Sequence, residues 1–425
     1  MTTPAKIAVV YDRGAVAAGE IAAGLTGLGT PVFLTPDSPH TRRMLHVLEG
    51  LGTVLPLTGD LAADTEAVRD LAPAAVLTFS ESMLRTTAAL TGALGLPGHD
   101  PDTAQLLTDK TRQRARLREA GVDDVRSHPL HTAEDGPRAF AVTGLPAIIK
   151  PVRGEGSRAT YVVHTEEEAA RVVAEAFAAV PAAGPGPVFV AEEFLQGRRD
   201  LPFGDYVAVE SLCSPHGVTH LAVSGKYALV PPFREAGVYW PSALGADEES
   251  AVEDLAGRAL AALGVTSGLA HTEIKLTPDG PRIIEVNGRI GGHVNHLAQF
   301  ACGVDLVRMA ALLALGRRVR PPRLRPEQVH FLRYGLAPVE PATLTAVHGD
   351  HEVRELPGIA GYRTYRRIGD RLDGGVMTQP MDLLWGVAPD HAAMGALVDK
   401  ALSVLGYEFE FAEGTRRLAA RDLLC

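Results

Sequence analysis

The stretch from His271 to Arg289, HTEIKLTPDGPRIIEVNGR, holds the densest set of chemically capable side chains in the chain. Two strand-like runs flank a Pro-Asp-Gly turn, the pattern of a β-hairpin. A hairpin symmetric about Asp279 sets Glu273 opposite Glu285 and His271 opposite Asn287. Strand side chains alternate between faces, so Glu285, Asn287 and Arg289 share one face, as do His271, Glu273 and Lys275. Two glutamates opposed at roughly 5 Å destabilise a sheet unless positive charge lies between them. A divalent cation supplies it, and the hard oxygen donors Glu273, Glu285 and Asn287 suit Mg2+, which also takes phosphate oxygens. Arg289 stands one strand step further on, placed to hold a transferring phosphoryl group or a carboxylate. Gly291 and Gly292, before His293, let backbone N–H groups approach an anion. The alternative is a solvated hairpin whose register a bulge breaks.

A second group lies upstream. Lys150 ends a strand-like run and is followed by Gly154-Glu155-Gly156-Ser157. Lysine offers phosphate a point charge, and the loop offers backbone and hydroxyl donors; alone, such a loop is also an ordinary turn. Lys110 opens a basic segment, where a solvated surface lysine is the plainer reading. Glu192-Glu193-Phe194-Leu195 is either a strand edge or a hinge whose backbone meets adenine while Leu195 packs on the ring.

These residues need a scaffold. Ile7–Tyr11, Val32–Leu34, Val54–Leu57 and Ala75–Phe79 read as buried strands separated by helical segments, the alternation of a parallel sheet. Gly14 and Gly19 are spaced as in a P-loop but lack its Lys-Ser/Thr, and no GxGxxG is present. Thr108–Gly121 reads as one basic amphipathic helix. Ala147–Val152, Val188–Leu195 and Tyr206–Leu212 read as strands, Glu166–Ala179 and Glu248–Leu263 as helices, and Pro181–Pro187 as a loop. Arg317–Pro326 is the best linker, and beyond it a small β-rich region with a late helix near Ala392–Leu405 is expected.

Composition sets limits. With 425 residues, 46% hydrophobic and 22% charged, the chain is long enough for several packed units. A net charge of −10 disfavours a nucleic-acid partner. No apolar run reaches membrane-span length, and MTTPAKIAVV lacks a signal-peptide layout, so a cytoplasmic protein is expected. Cys213, Cys302 and Cys425 form neither a zinc pattern nor a disulfide framework.

Taken in order, Lys110, Lys150, the glycine loop, Glu192-Glu193, Glu210, Glu273, Glu285, Asn287 and Arg289 resemble the ATP-grasp superfamily over nearly the whole chain. PAIIKPVRGEGSRATYVV is similar to its lysine strand and glycine loop, FVAEEFLQG to its adenine hinge and HTEIKLTPDGPRIIEVNGRIGGH to its magnesium hairpin. The resemblance implies a multidomain α/β and α+β fold. A Rossmann-like N-terminal domain would span 1–105, an ATP-grasp domain 106–318 and a β-rich C-terminal domain 319–425. It implies that Lys110, Lys150, Gly154, Gly156 and Ser157 bind the phosphates of ATP. Glu192 would meet the adenine amino group, with Glu193 and Leu195 completing the hinge. Glu273, Glu285 and Asn287 would hold Mg2+ or Mn2+, and Arg289 would steady an acyl-phosphate, with Lys150 and Glu273 also counted as catalytic. The sequence departs from the family pattern after Gly197, where an insertion stands in place of the usual acidic ribose contact; Asp205 is the choice for that role, with Asp200 the other possibility.

Ser224–Leu244, with its Phe233-x-Glu235-x-Gly237 and Pro241-Ser242, is similar to the L-amino acid ligases and related carboxylate–amine ligases. That branch implies small-molecule amino acid substrates, a homodimer, and substrate contacts from Glu235, His271, Arg289, Gly292 and His293. The glycine loop and Ser224–Leu244 are expected to cover the site. Other ATP-grasp ligases, biotin-carboxylase-like or purine-pathway, stay open, as does a non-catalytic nucleotide-binding regulator.

Overall fold

A computed structural model describes residues 4–179, 186, 188–375 and 377–424. The expected loop at Pro181–Pro187 therefore falls almost wholly outside the described residues, as does Cys425.

The N-terminal region is a parallel four-stranded sheet ordered Thr53–Pro56, Thr30–Thr35, Lys6–Val10, Ala75–Leu77. Lys6–Val10, Thr30–Thr35 and Ala75–Leu77 are mostly buried, as a sheet covered by helices requires, while the edge strand Thr53–Pro56 is partly exposed. The loop after its last strand is pinned to the loop after its first. Thr78 Oγ1 donates to the Val10 carbonyl, and Ser80 Oγ donates to that of Asp12, both at 2.7 Å. Gly14 makes this approach possible, since any side chain there would clash with the Phe79 carbonyl. The pinned loop carries Glu81 out of the sheet's C-terminal edge.

The helix expected over Thr108–Gly121 is present as Lys110–Glu119, and a separate helix, Pro101–Thr108, precedes it. Asp109 makes the break: its backbone is extended, and its side chain caps the second helix by accepting from the Arg112 N–H at 3.1 Å. Lys110 is the first residue of that helix, as the sequence implies.

An antiparallel sheet ordered Ser127–Leu130, Phe189–Glu193, Ala147–Pro151, Tyr161–Val163 carries Lys150 and Glu192. A larger one of eight strands runs Gly280–Asn287, Gly268–Thr277, Tyr206–Ser214, Gly217–Lys226, Gly237–Trp240, Val329–Leu336, Pro380–Ala388, Ile359–Thr364. The linker at Arg317–Pro326 has no regular structure, yet it does not separate two sheets. Three strands from beyond it extend the eight-stranded sheet, and the rest form a four-stranded sheet with the His391–Val404 helix. Ser224–Leu244, expected as a cover, supplies parts of two interior strands of the large sheet. Val238 and Trp240 of this segment are buried.

Among the described residues no single helix is long and apolar enough to cross a membrane. The apolar pair Val294–Cys302 and Leu306–Ala314 is bent by 111°, and several of its residues pack into the main core.

Candidate active site

The hairpin register is the one the sequence implies: Glu273 pairs with Glu285 and His271 with Asn287. The turn pairs Thr277 with Gly280 and Ile274 with Ile283; a one-residue bulge at Ile284 then shifts the register and brings Glu273 opposite Glu285. Beyond Asn287 the chain must pass close to the preceding helices. Gly288 allows this, because a Cβ there would lie 2.7 Å from the Leu107 side chain.

The carboxylates are held in place from behind. His271, only 2% exposed, lies with Nδ1 2.8 Å from Glu210 Oε1 and Nε2 3.3 Å from Glu273 Oε1. Ser224 Oγ donates to the same Glu210 oxygen at 3.1 Å and accepts from Trp240 Nε1 at 2.6 Å. Burial opposes charge on His271, but the two glutamates prevail and push its pKa up to about 9. Burial likewise opposes charge on Glu273, yet the His271 hydrogen bond and the charges of Lys226, His271 and Arg289 hold it down at about 2. His271 is thus an orienting group behind Glu273 rather than the substrate contact expected of it.

Cations close the open side. Lys110 Nζ lies 3.0 Å from Glu285 and donates to the Gly154 carbonyl at 3.0 Å, tying the helix to the glycine loop. Arg289 approaches Asn287 Oδ1 at 3.4 Å, Glu81 at 3.2 Å and Glu155 of the glycine loop at 3.8 Å. Lys226 pairs with Glu235 at 3.3 Å. Thr378 bridges two parts of the site, donating its N–H to the Gly156 carbonyl at 3.1 Å while its Oγ1 accepts from the Glu235 N–H at 2.9 Å. Ser157 sits in the glycine loop with φ near 56°.

Glu192 requires a correction. Its carboxylate does not project toward a ligand but is shared by Arg114, at 3.0 and 2.9 Å, and Lys150, at 2.9 Å, all three buried. Burial raises the cost of its charge, but those two cations hold it down at about 2. Lys150 is pulled below the usual lysine range by burial and by Arg114, against the pull of Glu192. Leu195, further along this hinge, is half-buried. The Glu193 side chain is held by the backbone N–H and guanidinium of Arg126 at 3.0 and 2.8 Å. Asp205 packs over Gly197, where no side chain fits, and pairs with Lys275 at 2.7 Å. Asp200 pairs with Arg198 on the surface.

Gly292 is exposed, and His293 takes a left-handed backbone at the start of the Val294–Cys302 helix. The His293 ring lies 5.9 Å from that of Tyr365 and 5.4 Å from that of Tyr334, and burial pushes its pKa down to about 4. Two residues that sequence reasoning missed join the site. Arg114 lies one turn after Lys110 on the same helix face, a spacing that could have flagged it. Glu81 opens the short 3-10 helix Glu81–Met83 and belongs to no motif. Burial pushes its pKa up to about 7, against the pull of Arg289.

The donor set fits a hard divalent cation: two carboxylates opposed across a hairpin, with an amide oxygen next on the same face. Its third member is an amide, and among the described residues no three His, Cys, Asp or Glu side chains form a metal-binding group.

A fold with a lysine strand, a glycine loop and an acidic hairpin is the ATP-grasp fold, and residues 143–296 match the family model described as an ATP-grasp domain. Within that class the chain is similar to ligases of amino acids. It is 27% identical to alanine–anticapsin ligase of Bacillus subtilis over 59% of this chain and 56% of that one. It is 29% identical to carnosine synthase 1 of Gallus gallus over 69% and 31% of the two chains. The chain therefore spans about a third to about half the length of these curated relatives. The crystal structure of an L-amino acid ligase from Bacillus licheniformis superposes with a TM-score of 0.79 at 22% identity, covering 96% of this chain and 99% of that one.

Proposed function

We propose that the protein is an ATP- and magnesium-dependent carboxylate–amine ligase that joins two amino acids through an acyl-phosphate, releasing ADP and phosphate. The observation that carries this reading is the Glu273–Glu285 pairing with Asn287 alongside and Lys110 and Arg289 against it. A carboxylate is a poor electrophile until its oxygen becomes a leaving group. Magnesium held by Glu273, Glu285 and Asn287 would neutralise charge on the transferring phosphoryl. Lys110 and Lys150 are placed to bind the phosphates, and the glycine loop tied to Lys110 excludes water from the acyl-phosphate. Arg289, charged and ringed by carboxylates, offers its N–H groups to the oxygens of that intermediate. Glu235 and His293 would contact a substrate. The same reading includes a homodimer, which light scattering tests.

The experiment is incubation of pure protein with Mg-ATP and pooled amino acids, with ADP, AMP and product masses quantified. A new amide mass with stoichiometric ADP supports the reading. AMP in place of ADP overturns the acyl-phosphate route, and ADP formed only with bicarbonate moves the protein to another ATP-grasp branch.

A further inference from the structure

Glu81 is the one charged side chain of the pinned loop after Ala75–Leu77, and it reaches the reaction centre from outside the ATP-grasp domain match. Its side chain is 8% exposed. Neither carboxylate oxygen has a hydrogen-bond donor among the described residues. Arg289 Nε lies 3.2 Å away, but it too lacks a hydrogen-bond partner, so the contact is an ion pair without directional bonding. Arg289, Glu285, Lys110 and Glu155 are the charged groups that act on it. A buried carboxylate with its lone pairs unmet is costly to keep. Such a group is retained where something else supplies the donors.

We propose that Glu81 is the anchor for the ammonium group of the second, amine-bearing substrate. This rests on the ligase reading. Arg289 is the group placed to hold the acyl-phosphate oxygens, so a carboxylate 3.2 Å from it sets an ammonium beside the acyl carbon. Attack needs the nitrogen within about 3–3.5 Å of that carbon. An ammonium also brings three N–H donors to a carboxylate that has none. The protons balance. The amine sheds two before the amide is complete: one passes to Glu81 and on to solvent, the other leaves with the phosphate. The C–N bond forms as the C–O bond to phosphate breaks.

The test uses the full-length protein and the amino acid pair found active in it. If the wild type makes no amide from any pair, the ligase reading has failed and Glu81 is not at issue. Given amide formation, Glu81→Gln and Glu81→Asp are compared with wild type in two assays. One is capture of the acyl-phosphate by hydroxylamine, a nucleophile that is uncharged at neutral pH. The other is the KM for the amine substrate. Glu81→Gln is expected to keep hydroxamate formation, which also shows that it folds. Its KM for the amine should rise about 30-fold or more, the loss typical of removing one partner of a buried charge pair. Glu81→Asp should recover part of it. Equal loss of hydroxamate and amide would make Glu81 a support for Arg289 and overturn the proposal. So would an unchanged KM, or a raised Mg2+ requirement for ADP formation.

Discussion

Lys110 Nζ sits 3.0 Å from the carboxylate of Glu285, so a side chain suited to phosphate already touches one suited to the metal. Burial works against the lysine's charge, but Glu285 holds its pKa above the usual lysine range. The two groups keep each other charged in a site where neither has much water. Replacing Glu285 with alanine removes a donor to the cation and the partner of Lys110 together. Glu285→Ala is expected to lower ATP turnover by at least about 100-fold, the scale on which removing one preorganised group acts, with the far-UV spectrum unchanged. Turnover within a few-fold of wild type would rule out the proposed metal site.

Arg289 is oriented by Asn287 on its own strand, with Glu155 of the glycine loop within 3.8 Å and Glu81 beside it without a hydrogen bond. A guanidinium so placed is ready for an anion that appears during the reaction. Arg289→Ala is expected to leave nucleotide affinity near wild type, measured by titration calorimetry, while product formation falls by about 100- to 1,000-fold. Equal loss of binding and product would place the residue in nucleotide binding instead.

The Arg114–Glu192–Lys150 cluster is structural as much as functional. Glu192→Ala would leave two buried cations without their shared counter-charge, a change that costs about 3–5 kcal/mol where a buried pair is broken. A lowered thermal midpoint is the expected result, together with loss of ATP binding through the displaced Lys150. A thermal midpoint equal to that of wild type would show that water or another carboxylate reaches these cations.

The parts of the site that were legible in the sequence are those fixed by short-range rules. The Pro-Asp-Gly turn marked the hairpin and strand alternation marked its faces, while a one-residue bulge at Ile284 completes the pairing of Glu273 with Glu285. The four N-terminal strands followed from their apolar runs. The Lys110–Glu119 helix was legible to within two residues at each end, because Asp109 caps it at the start and Gly121 lies just past its end. What lay beyond reach were pairings between distant segments. Arg114 and Glu192 are 78 residues apart. No local pattern announces that the glutamate of an apparent hinge motif is spent on an arginine from another element. The strands beyond Arg317–Pro326 joined the larger sheet because Gly237–Trp240 presents an edge that Val329–Leu336 covers, a fact of packing that a linker composition does not reveal.

The His271 imidazole between Glu210 and Glu273 makes stability depend on pH in a definite direction. Its pKa rises from an ordinary 6.5 to about 9 on folding. A group whose folded pKa is raised stabilises the fold fully below its unfolded pKa, and that contribution is lost as pH climbs through the folded value. The window is therefore pH 6.5 to about 9. Glu273, held at about 2, stays ionised throughout this range and adds no slope of its own. Measured in EDTA, so that no bound cation replaces the imidazolium, wild type should unfold at a progressively lower temperature across the window. His271→Gln keeps a polar group between the glutamates but has no proton to lose. Its midpoint should start lower and change less, so that the gap from wild type narrows as pH rises. A gap that stays constant from below pH 6.5 to above pH 9 would mean that His271 does not titrate between the two carboxylates, and its orienting role for Glu273 would then rest on shape alone.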